Sequence, residues 1–188
     1  MAILKILIVC TGNICRSPMA EAFLKDKFKK ANLDFEVSSA GILTQELRPP
    51  SQVIEVMKNY GLEISEHSSR LLDAIDLQEF DLILGMAKEH VREIAVMAKN
   101  TLNHTFTIKE FVYRASAVGP KRQTESIDDW LSLVVQGRRF EELLGADLEL
   151  DVVDPLDKGG DAFKDVATEL DQITTQVVHL LNDNLSGG

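Results

Sequence analysis

Residues 9–18, Val-Cys-Thr-Gly-Asn-Ile-Cys-Arg-Ser-Pro, bring a thiol, an arginine and a hydroxyl into one short stretch. Five residues separate Cys10 from Arg16, and Ser17-Pro18 follows at once. A sulfur ringed by backbone amides and beside an arginine is favoured as thiolate, which makes Cys10 a candidate nucleophile at neutral pH. Arg16 offers a planar fork matching two oxygens of a phosphoryl group, which lysine cannot do as well. Gly12 and Asn13 tolerate left-handed backbone angles, as a loop folded round an anion requires. Ser17 can donate a hydrogen bond to the sulfur, and Pro18 suits a first helical turn. The implied chemistry is covalent capture of an oxyanion. The backbone N–H groups of Thr11, Gly12, Asn13, Ile14, Cys15, Arg16 and Ser17 would form its cradle. The alternative, a buried strand-end cysteine, leaves Arg16 and Ser17 unexplained.

The flanking elements must aim this loop. Ile3 to Val9 is apolar, β-branched and short, as a buried parallel strand would be. Met19, Ala20, Phe23, Leu24 and Phe28 recur at helical spacing, so a helix dipole stands behind the loop. Phe35 to Ser39 reads as a second strand. Pro49-Pro50 opens a helix with Val53, Val56, Met57 and Tyr60 inward, stopped by Gly61. Leu82 to Leu84 is a buried strand, and residues 88–98 are helical with Val91, Ile94, Ala95 and Met97 or Ala98 inward. His104 to Thr107 is a short fourth strand before a helix near Lys109–Ala115. Leu170, Ile173, Thr174, Val177, Val178 and Leu181 make one stripe of a last helix. The alternation predicts an α/β fold: a three-layer open parallel sheet of about four strands, helices on both faces, the loop at the carboxyl edge of strand 1.

Bulk properties fit a cytoplasmic enzyme. The 188 residues suit a single domain spanning 1–188. A net charge of −10 argues against nucleic acid or an anionic membrane as partner. No stretch approaches membrane-spanning length, and residues 3–9 are too short for a signal-peptide core. Two cysteines make neither a disulfide framework nor a closed zinc site, and a reducing compartment follows. His90, His104 and His179 have no metal-like spacing, so neither metal nor cofactor is expected.

Cys10 to Pro18, followed by Met19-Ala20-Glu21-Ala22, resembles the signature of the low-molecular-weight protein tyrosine phosphatases. Ser39-Ala40-Gly41, Gly61 to Ser65 with His67 and Arg70, Phe80 to Met86, and Asp154-Pro155 resemble further segments of that family. The likeness covers roughly residues 3–117 and 151–183. It implies hydrolysis of phosphomonoesters, foremost protein phosphotyrosine, through a phosphocysteine on Cys10, with Asp154 as general acid and base. It also implies that Asn13, Ser39, His67 and Arg70 hold the loop in shape. The expected partner is a phosphorylated protein or a small phosphomonoester, and the expected assembly a monomer or weak homodimer. On spacing alone, Asp154-Pro155 reads as a turn in an acidic stretch with Asp151, Asp157 and Asp161. Cys15 could capture oxidised Cys10 as a disulfide or simply pack beneath the loop, and the two roles are compatible.

Departures bear on the substrate. The family's tyrosine-specific members carry aromatic walls beyond Ser-Ala-Gly and after Asp-Pro. Here those segments read Ile42 to Leu47 and Leu156-Asp157. Ile14 is the tyrosine-type residue, whereas protein arginine phosphatases place threonine there. A protein arginine phosphatase or small-molecule phosphatase is the alternative. An arsenate reductase would need further cysteines after Cys15, and a non-catalytic module would not keep Cys10, Arg16, Ser17 and Asp154 together. Residues 118–150 form an unfamiliar helical insertion, in which Ser126 and Asp129 suit a capping box before Ile127, Trp130, Leu131, Val134 and Val135. Gly137 ends that helix, and Arg138-Arg139-Phe140 begins a segment reaching Leu143-Leu144. It is either a packed hairpin or a wall in which Trp130 or Phe140 replaces the missing aromatics.

Overall fold

The computed structural model describes residues 3–139, 141, 149–156, 158–159 and 161–182. Strand β1 (Leu4–Cys10) runs between β2 (Phe35–Gly41) and β3 (Leu82–Gly85), with β4 (Thr105–Thr107) beyond β3, all parallel. The apolar run of β1 is continuous because both of its faces are covered. Leu7 and Val9 join Leu72, Leu77, Ile83 and Ile94 on one side, while Ile6 and Ile8 join the larger core on the other. This is the expected three-layer arrangement.

Among the described residues six α-helices follow in chain order: α1 (Arg16–Lys30), α2 (Ser51–Asn59), α3 (Lys88–Met97), α4 (Ile108–Val118), α5 (Ile127–Val134) and α6 (Ala162–Leu181). All but α3 contribute to the larger core, and Ile94 of α3 belongs to the smaller one. Thr107 Oγ1 accepts from Glu110 N at 3.1 Å, so α4 begins at Ile108 and not at Lys109. Tyr60 falls just outside α2 and is 38 % exposed, although its ring meets Phe23 edge-on. Of the two candidates at the end of α3, Ala98 turns inward and Met97 faces solvent.

Ser126 caps α5, its Oγ accepting from Asp129 N at 3.0 Å, but it also donates to Asp129 Oδ2 at 2.7 Å, a side-chain pair in place of the bond to the Ser126 amide that a capping box would make. Trp130 is core and not a wall beside Asp154. Its ring packs edge-on to Phe111, and its indole N–H donates to Gly119 O at 3.0 Å. A large aromatic at helical spacing buries most area by facing the sheet. Phe140, Leu143 and Leu144 lie outside the described residues. Behind Trp130, the Arg138 fork closes on both Glu110 oxygens at 2.8 Å and donates to Leu102 O, with both side chains nearly inaccessible. Removing one partner of such a pair would strand the other, at about 3–5 kcal/mol.

The β1–β2 register sets Cys10 opposite Gly41. A Cβ at Gly41 would stand 2.9 Å from Asn13 N and 3.0 Å from Gly12 C, both backbone atoms of the loop. Gly41→Ala is therefore expected to lose about 1–3 kcal/mol in urea unfolding, as overpacking does. By forcing the loop outward it should also weaken inorganic phosphate binding about tenfold in calorimetry.

Candidate active site

Cys10 ends β1, and Arg16 begins α1 after five intervening residues. The chain turns between them with Asn13 at φ +49°, a left-handed angle that asparagine tolerates. That turn carries Asn13 N to within 3.2 Å of the Cys10 sulfur, to which it donates. Ser17 Oγ lies 2.9 Å from the same sulfur.

Proton counting fixes the direction of the network. The Asn13 amide gives one hydrogen to Ser17 Oγ at 2.8 Å and the other to Ser39 Oγ at 2.7 Å. Ser17 thus keeps its own proton for the sulfur, and Ser39 donates its proton to Glu21 Oε2. Asn13 Oδ1 accepts from Arg70 N at 3.0 Å, and Asn13 O accepts from His67 Nε2 at 2.8 Å. The Arg70 guanidinium donates to Ser39 O from both Nε and Nη2. The four supporting residues named by resemblance therefore meet in one network. Asn13 and Ser39 are fully inaccessible there. Glu21 belongs to it as well and went unassigned in the sequence. Its signal was its position one helical turn beyond Ser17.

Arg16 is buried, and its Nη1 donates to Val152 O at 3.2 Å. Nη2 donates to Thr11 Oγ1 at 3.1 Å and makes a close ion pair with Asp154 Oδ2. The partly exposed Asp154 also accepts from Leu156 N through Oδ1, across Pro155. Val152 N donates to Met86 O at 2.7 Å, which lays this segment against the end of β3. Asp151 is committed elsewhere: its Oδ1 accepts the Lys88 amide at the start of α3. Asp161 pairs with Lys164, and Asp157 lies outside the described residues. Asp154 is thus the acid brought to Arg16.

Thr11 and Ile14 are half-buried, and Cys15 is buried beneath the loop. Burial, reinforced by Cys10 and Asp154, pushes the Cys15 thiol up well beyond the ordinary thiol range. The rim is aliphatic. Ile42 N donates to Cys10 O, Leu43 N to Thr11 O, and Thr44 Oγ1 to Gly12 O, so this segment is bonded along the loop. Leu43, Leu47, Val153 and Leu156 are all exposed. Among the described residues, no three His, Cys, Asp or Glu side chains are grouped as a metal site would need, and no helix is long and apolar enough to cross a membrane.

A sulfur under two donors, an arginine fork and a carboxylate can together receive and release a phosphoryl group. The comparisons agree. Residues 5–127 match the family model described as low molecular weight phosphotyrosine protein phosphatase. The low molecular weight protein-tyrosine-phosphatase Etp of Escherichia coli K12 is 32% identical over 121 residues, 64% of this chain and 79% of that one. The protein-arginine-phosphatase of Bacillus subtilis is 33% identical over 108 residues, 57% of this chain and 71% of that one. The crystal structure of the low molecular weight protein tyrosine phosphatase from T. tengcongensis superposes with a TM-score of 0.71 at 31% identity, covering 95% of this chain and 99% of that chain. With more than half of its residues matched by that family model, the chain belongs to the low molecular weight phosphotyrosine protein phosphatase family.

Proposed function

We propose that this protein hydrolyses protein phosphotyrosine through a phosphocysteine on Cys10, in the reducing setting of the cytoplasm. The observation that carries this reading is the Cys10 sulfur held between Ser17 Oγ and Asn13 N, with the Arg16 fork buried alongside. The thiolate attacks phosphorus while the loop amides and Arg16 hold the equatorial oxygens. As those oxygens take over the Arg16 fork, Asp154 leaves its ion pair, takes up the proton that the substrate's phosphate monoanion or water gives up, and passes it to the departing oxygen. Asp154 then deprotonates the water that splits the S–P bond, and Ser17 stabilises the thiolate as it leaves.

A second reading rests on the exposed Leu43, Val153 and Leu156, which give the rim no ring to stack on. Aliphatic walls accept a phosphoarginine or a small alkyl phosphate as well as a phenyl ring. Steady-state rates on phosphotyrosine and phosphoarginine peptides and on sugar phosphates separate the two. Phosphotyrosine should lead.

Cys10→Ser should abolish turnover measured in chelator, and undiminished activity in that variant would sink the mechanism. Arg16→Lys should slow phosphocysteine formation by about 10²–10³, because a point charge cannot make the bidentate contact.

Asp154→Asn tests the acid. Single-turnover phenol release from phosphotyrosine should fall by about 10²–10⁴, and that from an activated nitrophenyl phosphate much less. Equal losses on both would remove Asp154 from this role.

Cys15 shares the loop with Cys10, and both thiols are free. Peroxide would convert Cys10 to its sulfenic acid. The Cys15 sulfur would then displace water from it to leave a disulfide. Cys15→Ser should retain turnover yet fail to recover with thiol reductant after peroxide, whereas the parent recovers. Equal recovery would leave Cys15 a packing role only.

A further inference from the structure

His90 is a fully buried side chain, remote in sequence from the loop, that the reaction above does not use. Its Nδ1 accepts the Ala87 N–H at 2.9 Å, and a nitrogen that accepts carries no proton. The neutral ring therefore bears its hydrogen on Nε2, which lies 3.0 Å from Thr11 Oγ1. Thr11 Oγ1 in turn accepts from Arg16 Nη2 at 3.1 Å. The hydroxyl's own proton points to Glu89 Oε1 at 3.3 Å, an oxygen that also lies 3.4 Å from His90 Nε2. Two hydrogens in and one out saturate the Thr11 oxygen.

The geometry points to His90 as a positioning residue for Arg16: through the Thr11 hydroxyl it holds the guanidinium plane for the phosphoryl group. The inference rests on the phosphatase reading of Arg16. Of the two partners on Nη2, Asp154 must leave when it turns to the departing oxygen. Thr11 stays. The tether that survives is the one whose lone pair His90 orients. Burial, with Arg16 and Arg92 adding, pushes His90 down to about 3, so the ring stays neutral and its donor remains on Nε2 across the working pH range. A cationic ring would have lost the acceptor that Ala87 N–H needs.

The test is a mutant cycle read by single-turnover phosphocysteine formation and by vanadate affinity. His90→Leu and Thr11→Val should each lower both by about tenfold, and the double variant by about the same tenfold, because one relay is broken once. Glutamine can offer an acceptor and a donor much as the neutral ring does, so His90→Gln should stay within about threefold of the parent. Thr11→Ser, which keeps the hydroxyl, should do likewise. Losses that multiply in the double variant, or a His90→Gln as slow as His90→Leu, would overturn the relay and leave His90 only its bond to the start of α3. Should His90→Leu fail to fold, the Thr11 pair decides, since equal rates for Thr11→Val and Thr11→Ser also overturn it. A parent protein without turnover would instead sink the phosphatase reading itself. An active parent with an unaffected Thr11→Val sinks only this inference.

Discussion

One buried amide organises the catalytic loop. Asn13 spends both side-chain hydrogens on Ser17 and Ser39, takes the Arg70 amide on its carbonyl oxygen, and directs its backbone N–H to the sulfur. Each bond adds about 0.5–1.5 kcal/mol to stability, yet leaving any partner unmet in this dry setting costs about 1–3 kcal/mol. That asymmetry makes the network all-or-none. It also dictates which proton faces Cys10, so the loop's shape and its chemistry have the same cause. The close pairing of β1 and β2 serves this amide, because Gly41 leaves the space in which Asn13 turns.

The opposite wall is built from distant chain. Val152 and Asp154 reach Arg16 from far along the chain, and they are fastened on arrival by Met86 O, the Lys88 amide and Lys109 Nζ through Asp151 and Val152. Earlier in the chain, Trp130 lies in the main core and Arg138 pairs with Glu110. Asp154 therefore follows directly on a fastened segment.

What could be read from the sequence was what is local. The strand–loop–helix around Cys10 was legible because burial on both faces leaves a continuous apolar run and helical spacing leaves a stripe. The Ser126 cap was legible for the same reason, as a pattern four residues long. His67 was not decidable alone, since its partner is a carbonyl 54 positions away. His90 and Glu89 carried no signal toward Thr11, from which they are 79 and 78 positions distant. Asp154 stood among four similar aspartates, and only the fold shows that Asp151 is taken by the start of α3 and Asp161 by Lys164. Tyr60 was misplaced, and Met97 and Ala98 could not be told apart, for a smaller reason: a period fixes a face, but not the residue at which a helix stops presenting it.

The direct join between residues 42–44 and the loop has a consequence for local unfolding. Because the amides of Ile42 and Leu43 and the Thr44 hydroxyl all donate to loop carbonyls, the rim cannot open while the loop stays closed. The amides of Gly41, Ile42 and Leu43 belong to the same cooperative unit as those of the loop. Their hydrogen exchange would slow together when an oxyanion fills the loop, although none of the three touches it.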